Sequence, residues 1–95
     1  MEIKCIDYQS TEDFLTAVAK KCLSDLSEED KQIFLKETDP TAYHFGIGLY
    51  IRNNYIYPQK EFEHADNFAD IFDLTVSADA YSSKVIKKML SLLKE

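Results

Sequence analysis

The sequence PTAYHFGIGLYIRNNYIYP, residues 40–58, is the stretch on which the fold depends. It contains both glycines and both prolines of the chain, its only arginine and four of its six tyrosines. Residues 43–51 are apolar on nearly every side, which is unlike a surface helix with one solvated face. We therefore predict a central helix over about residues 40–54, with the other segments packed around it.

Both ends of this central helix are marked in the sequence. Asp39 as N-cap and Pro40 at the first helical position predict its start, since proline at that position loses no helical hydrogen bond. Asn53 and Asn54 predict its end, because asparagine tolerates the left-handed conformation that closes helices. The next residues, Tyr55–Pro58, are then expected to run extended.

Helix-start signals recur elsewhere along the chain. Ser10 and Ser27 each precede acidic residues, so they predict two helices before the central one. Ser77 or Asp79 is expected to cap a last helix over residues 80–94. Apolar residues at spacings of three and four mark the buried faces of these helices. They are Leu15, Val18, Cys22 and Leu26 in the first helix, Ile33 and Phe34 in the second, and Val85, Ile86, Met89, Leu90 and Leu93 in the last.

Two segments have weaker patterns. Residues 61–74 carry aromatic and alanine residues at helical spacing, and we predict a weak helix there, with a loop as the alternative because of their aspartate and asparagine content. Residues 1–9 are predicted to form an extended arm that packs Ile3 and Ile6 onto the bundle. Residues 1–95 are thus expected to form a single all-α domain, a compact bundle of four or five short helices around the central helix.

Composition excludes several classes of partner. Seventeen acidic against eleven basic residues give a net charge of −6, which opposes binding to nucleic acid and to anionic membranes. The N-terminus lacks the apolar core of a signal peptide, and no apolar run is long enough to span a membrane. Cys5 and Cys22 are too few for a disulfide framework or a zinc site. We expect a cytoplasmic protein with reduced thiols.

No motif for catalysis is present. The chain has no phosphate-binding loop, HExxH motif, nucleophile elbow or paired CxxC. His64, Asp66 and Asp70 on one weak helix would make a poor cation site. The sequence therefore indicates no catalytic residue, metal or cofactor, and it weighs against an enzyme.

The central stretch offers one candidate ligand site. His44, Gly48 and Arg52 follow each other at intervals of four, so a helix would set them near one face, where with Asn53 they could bind a small anion or ligand. In the alternative, Arg52 pairs with Asp39, Glu61 or an acid of the last two segments, and His44 is hydrogen-bonded in the core. Arginine among apolar neighbours requires such a partner, because an unpaired buried charge is costly.

Our main functional hypothesis is a non-enzymatic module that binds or inhibits another protein. That partner would have a basic face. The hypothesis depends on the net charge, the acidic segment after Lys60 and the tyrosines, whose exposed rings would suit an interface. The predicted partner-binding residues are Tyr50, Tyr55, Tyr57, Glu61, Glu63, Asp66 and Asp70. The alternatives are a ligand pocket or enzyme built on His44 and Arg52, and a self-associating structural domain. The sequence leaves monomer and homodimer open.

Three segments, taken in order, resemble a known family. They are LSEEDK at 26–31, HFGxGxxIRNN at 44–54 and ADAYSS at 78–83. This order is similar to that of an uncharacterised family of small bacterial domains of unknown function, over about residues 10–93. The resemblance implies a bacterial origin and a helical fold, and no activity. The chain departs from the family at Ser77-Ala78, where a histidine-proline pair would be expected, and at Tyr55, the aromatic residue after the asparagines.

Overall fold

The structure, a computed structural model, describes residues 3–37 and 46–94. These ranges contain five α-helices and no β-strand, so the prediction of an all-α bundle is confirmed. The radius of gyration of 13.2 Å is that of a compact domain of this length. The helices are α1 (Thr11–Asp25), α2 (Glu28–Lys36), α3 (Ile47–Ile51), α4 (Phe68–Ile71) and α5 (Ala78–Lys94).

Three helices start at the serines that the sequence indicated. Ser10, Ser27 and Ser77 each accept a hydrogen bond from the backbone amide three residues later, at 3.1 Å. A side-chain oxygen in this position satisfies an amide that has no partner within the helix. The predicted starts of α1, α2 and α5 are therefore confirmed, with α5 beginning two residues earlier than expected.

The centre of the core is formed by α1 and α5, which pack against each other. Most of the predicted apolar residues of both helices are buried, and Leu26, Leu90 and Leu93 are partly buried. In α2 the prediction is wrong for Ile33, which is 59% exposed, and Phe34 is the residue that anchors that helix. The buried residues are Phe14, Leu15, Val18, Ala19 and Cys22 of α1 and Tyr81, Ser82, Val85, Ile86 and Met89 of α5.

The central segment continues as a helix beyond its predicted end. After α3 the chain forms a π-helical turn, Arg52–Ile56, and then a 3₁₀ helix, Tyr57–Phe62. The prediction that Asn53 and Asn54 close the helix, with extended residues after them, is wrong. No described residue has a positive φ, and continuing the helix buries Tyr55 and Ile56.

The start of the central segment is only partly described. Gly46 is the exposed N-cap of α3 rather than a residue inside it, which corrects the placement of both glycines within one helix. Gly48 lies inside α3 and is buried. Residues 40–45, which the prediction included in the central helix, lie outside the described residues.

Residues 61–74 do not form the single helix that their spacing predicted. Turns follow the 3₁₀ helix, and only Phe68–Ile71 is α-helical. The aspartates and asparagine of this segment favour turns over helix interiors. Its apolar residues Phe68, Ile71 and Phe72 are nevertheless buried.

The N-terminal arm contains one 3₁₀ turn, Cys5–Asp7, between extended residues. Cys5 is fully buried, and Ile3 and Ile6 pack partly buried against the core. The predicted packing of Ile3 and Ile6 is confirmed, and the turn is an addition to the extended arm that the sequence suggested.

Candidate functional site

Arg52 is a buried charged residue, only 4% exposed, that joins the central segment to α5. Its Nη1 donates to Ser82 Oγ at 3.1 Å and lies 3.3 Å from Asp79 Oδ1. Ser82 Oγ in turn donates to the carbonyl oxygen of Asp79 at 3.0 Å. The structure thus gives Arg52 a carboxylate partner in the last segment, one of the alternatives that the sequence left open. We call these three residues the Arg52 brace.

The predicted ligand site around this arginine is only partly assembled in the described residues. Gly48 lies one helical turn before Arg52, in a helix that packs against α5, and both residues are buried. A residue without a side chain at this position lets the two helices come close together. Asn53 is exposed and therefore points elsewhere. His44 lies outside the described residues, so its part in a site stays a prediction.

Gln59 is a buried polar residue that sequence reasoning missed. It is 1% exposed, and its Oε1 accepts from the Cys5 amide at 2.7 Å. Its Nε2 donates to the carbonyl oxygens of Ile3 at 2.9 Å and Tyr55 at 2.8 Å. Gln59 therefore fastens the N-terminal arm to the π-helical turn. No local signal marks it, because two of its three partners lie more than 50 positions away in the chain.

Two of the predicted partner-binding tyrosines lie together. Tyr50 and Tyr55 contact each other edge to face, and both hydroxyls donate to Asp25 Oδ2 at 3.2 Å. A hydrogen bond from Lys21, helped by both hydroxyls, holds the pKa of the Asp25 carboxyl below its usual value. Burial raises the pKa of Tyr55, which keeps its hydroxyl a donor. Tyr50 is exposed, but Tyr55 is only 8% exposed and belongs to the core.

The third predicted tyrosine, Tyr57, borders an apolar groove. Tyr57 is 57% exposed, and Leu74, which faces the same groove, is 52% exposed. The groove has a volume of about 170 Å³. We call it the Leu74 groove; its lining residues are Ile56, Tyr57, Lys60, Phe72, Leu74, Val76 and Ala78.

A shallower depression adjoins the Leu74 groove. Leu74 and Phe72 line both, so the two form one continuous surface. The depression has a volume of about 490 Å³, and two carboxylates, Glu63 and Asp73, stand at its edge. Its other lining residues are Phe68, Ala69 and Thr75.

The backbone that carries Leu74 is held in place by its neighbours. Asp73 Oδ1 accepts from the Thr75 amide at 2.8 Å and from Thr75 Oγ1 at 2.6 Å, and these bonds lower the pKa of the Asp73 carboxyl. The Val76 amide donates to the Asp73 carbonyl oxygen at 3.1 Å. The hydroxyl of buried Tyr81 accepts from the Asp73 amide at 2.8 Å. Leu74 therefore sits at the tip of an ordered turn.

Of the predicted acidic residues, Glu63 lines the depression beside the Leu74 groove. Glu61, Glu63, Asp66 and Asp70 are all exposed, as is Asp73 at the start of the Leu74 turn. Lys60 is the one lysine between residues 57 and 76. Leu74 itself was not predicted, because a leucine at the end of a predicted helix is expected in the core.

Neither a metal-ligand cluster nor an activated thiol is found in residues 3–37 and 46–94. No group of three or more histidine, cysteine, aspartate or glutamate side chains in residues 3–37 and 46–94 is arranged to hold a metal ion. Cys5 and Cys22 are fully buried. Burial raises the pKa of both thiols, to about 12 for Cys22, so neither is an activated nucleophile.

Comparison of the chain with known protein families, with curated proteins and with solved structures finds no match. The resemblance to a family of small bacterial domains therefore stays a prediction. Among the helices of the described ranges, none combines the length and the apolar composition that a membrane span requires. The geometry of the Leu74 groove and of the Arg52 brace is what bears on function.

Proposed function

We propose that this protein is a non-enzymatic protein-binding module and that the Leu74 groove is its binding face. One observation carries the proposal: two large apolar side chains, Tyr57 and Leu74, are more than half exposed beside the same groove, and an ordered turn holds one of them there. An apolar side chain in water gains nothing for the fold. Exposed apolar surface that is continuous and lined by an aromatic ring is typical of interfaces.

The order of the Leu74 turn supports binding of a macromolecule. Association costs free energy when loops and side chains must be immobilised, at about 0.5–1.5 kcal/mol for each flexible side chain. The bonds among Asp73, Thr75, Val76 and Tyr81 fix the backbone on both sides of Leu74 before any partner arrives. This cost is therefore smaller than for a leucine on a flexible loop.

The size of the groove favours a protein over a small molecule. Pockets for drug-sized ligands usually measure about 300–1,000 Å³ and contain several convergent polar groups. The Leu74 groove itself measures about 170 Å³, the larger depression beside it is shallow and open, and Lys60 is the single charged residue in the lining of the groove. A side chain of a partner protein fits such a groove better than a substrate does.

The alternative site at His44 and Arg52 receives less support. Arg52 already contacts Ser82 and Asp79, which accounts for its position between two helices. Self-association is the other alternative, and it would bury the tyrosines or α5 in a dimer. The experiment below separates a different protein from a second copy of this chain.

The test is capture of partners from a lysate of the organism that encodes the chain, followed by quantitative mass spectrometry. The baits are the wild type, a Tyr57→Ser/Leu74→Ser double variant, and Ile33→Ser as the matched control. Ile33→Ser also removes an exposed apolar side chain, but one of α2 that does not line the groove. Circular dichroism establishes that all three baits are folded.

We expect at least one protein that the wild type and Ile33→Ser retain in equal amounts. The double variant should retain at least about tenfold less of it, because an interface anchor is lost. The proposal is overturned if no protein shows this dependence on the groove. Sedimentation of the wild type provides the second arm. A dimer that the double variant dissociates would replace the proposal with self-association.

A further inference from the structure

We infer that the partner presents one large apolar side chain next to lysine or arginine residues, and that the Leu74 groove receives the apolar side chain while the carboxylates of Glu63 and Asp73 in the adjoining depression bind the basic ones. This inference rests on the proposed function, because it takes the Leu74 groove as the binding face. It adds the chemistry of the partner, which the groove and its charges indicate separately.

The volume of the groove sets the size of the apolar side chain. An engineered protein cavity of about 150 Å³ lined by apolar residues holds one benzene molecule. The Leu74 groove offers about 170 Å³ between Tyr57, Phe72 and Leu74. It therefore has room for a single aromatic or branched aliphatic side chain. Alanine or serine would leave much of it empty.

Two carboxylates, Glu63 and Asp73, line the depression beside the groove, and the segment that carries them is rich in acidic residues. Five exposed carboxylates and one lysine lie between residues 57 and 76, in a chain of net charge −6. Complementary charges at an interface accelerate association and select among partners. A partner with acidic flanks would be repelled here, and nucleic acid would be repelled for the same reason. The carboxylates are Glu61, Glu63, Asp66, Asp70 and Asp73.

The position of Lys60 predicts where the basic flank of the partner lies. Lys60 lines the groove itself, whereas Glu63 and Asp73 line the adjoining depression. Leu74 is shared by the two surfaces, so the apolar side chain of the partner has a positive charge on one flank and negative charges on the other. We expect the basic residues of the partner over the depression, beside Glu63 and Asp73.

The test uses three synthetic peptides of equal length as probes. One has a central leucine flanked by lysines, the second has the same leucine flanked by glutamates, and the third has the lysines and a central alanine. Each is titrated into the full chain labelled with ¹⁵N, and amide resonances are followed at low and high salt. Residues 57 and 73–76 report on the groove.

We expect the leucine–lysine peptide to shift the resonances around Tyr57 and Leu74, with an affinity about tenfold higher than that of either other peptide. High salt should weaken this binding, since exposed charges are screened within about 8 Å at physiological ionic strength. Glu63→Gln should weaken it severalfold. The control Glu29→Gln, which removes the same charge from an exposed position of α2, should leave it unchanged.

The inference is overturned if the lysine and glutamate peptides bind equally, if the shifts fall elsewhere, or if millimolar peptide causes none. Its failure differs from failure of the proposed function. A protein captured through the groove whose contact residues are acidic or uncharged would overturn the inference and leave the binding module intact. Lack of any groove-dependent capture would overturn the proposed function whatever the peptides do.

Discussion

Arg52 and Leu74 both have an unusual degree of exposure for their residue types. Arg52 carries a charge and is 4% exposed, whereas Leu74 is apolar and 52% exposed. The contacts of Arg52 with Ser82 and Asp79 lie within the chain and join two helices. The backbone around Leu74 is equally well held, but its side chain faces an open groove.

This difference separates residues that stabilise the fold from residues that are available to a partner. A buried polar group must be hydrogen-bonded inside the protein, so its substitution is felt in stability. An exposed apolar side chain on an ordered turn contributes little to stability, so its substitution should be felt in binding. The predictions below test this distinction.

Gln59→Ala should cause the largest loss of stability. It removes the partner of the Cys5 amide and of the carbonyl oxygens of Ile3 and Tyr55, and each unsatisfied buried group costs about 1–3 kcal/mol. We expect the free energy of unfolding to fall by about 3–5 kcal/mol, measured by urea unfolding with circular dichroism. Gln32→Ala, an exposed glutamine on α2, is the control and should change stability by less than about 0.5 kcal/mol. A loss for Gln59→Ala below about 1 kcal/mol would show that water replaces the side chain.

Arg52→Ala should come next, with a loss of about 2–4 kcal/mol in the same assay, because it leaves a cavity between α3 and α5 and removes the bond to Ser82. Asp79→Ala should cost less, about 1 kcal/mol, since the Asp79 side chain is 62% exposed and its carboxylate is largely solvated. Equal losses would place the stabilisation in the ion pair. Unchanged or increased stability of Arg52→Ala would mean that the arginine is held at a cost to the fold, and a ligand site there would become the better hypothesis.

Tyr81→Phe tests a buried residue that holds the turn carrying the exposed Leu74. It removes the hydroxyl that bonds the Asp73 backbone while keeping the ring that stacks on Phe72 at 4.6 Å. We expect a loss of about 1–2 kcal/mol and faster amide hydrogen exchange at residues 73–76. Tyr50→Phe, whose hydroxyl bonds an exposed carboxylate, is the control and should have little effect. Unchanged exchange in Tyr81→Phe would show that Asp73 and Thr75 alone hold the Leu74 turn.

Leu74→Ser should have the smallest effect on stability, within about 0.5 kcal/mol of the wild type. Its effect should instead appear in the capture and peptide experiments. The check is urea unfolding of Leu74→Ser beside Val76→Ser, a partly buried residue of the same groove. Val76→Ser should destabilise the protein more. A loss of 2 kcal/mol or more for Leu74→Ser, roughly the value of a buried leucine, would contradict the assignment of this side chain to binding.

Sequence alone predicted the features that depend on neighbouring residues. Ser10, Ser27 and Ser77 cap helices because a hydroxyl three residues before a free amide suffices. The apolar faces of α1 and α5 follow from helical spacing. The cost of burying a charge predicted a carboxylate partner for Arg52. It did not predict which of several acidic residues this would be, and the structure shows Asp79.

The wrong predictions concern residues whose sequence pattern is compatible with a structure but does not require it. Asn53 and Asn54 tolerate a helix end, but burial of Tyr55 and Ile56 continues the helix through them. Ile33 was placed in the core by its spacing beside Phe34, and a nine-residue helix buries only one of them.

The residues that sequence reasoning missed depend on distant parts of the chain. Gln59 is recognisable only once the N-terminal arm has folded back onto it. The exposure of Leu74 depends on a turn that Tyr81 of α5 holds in place. Neither feature has a signal in the residues beside it.

The pairing of α1 with α5 has a consequence for folding during synthesis on the ribosome. The apolar face of α1 is synthesised early, and its main partner, α5, is the last of the described helices to be made. At ordinary translation rates of about 5–20 residues per second, several seconds separate the two. During that interval α1 lacks its main partner, so the domain completes its core only after α5 has been synthesised.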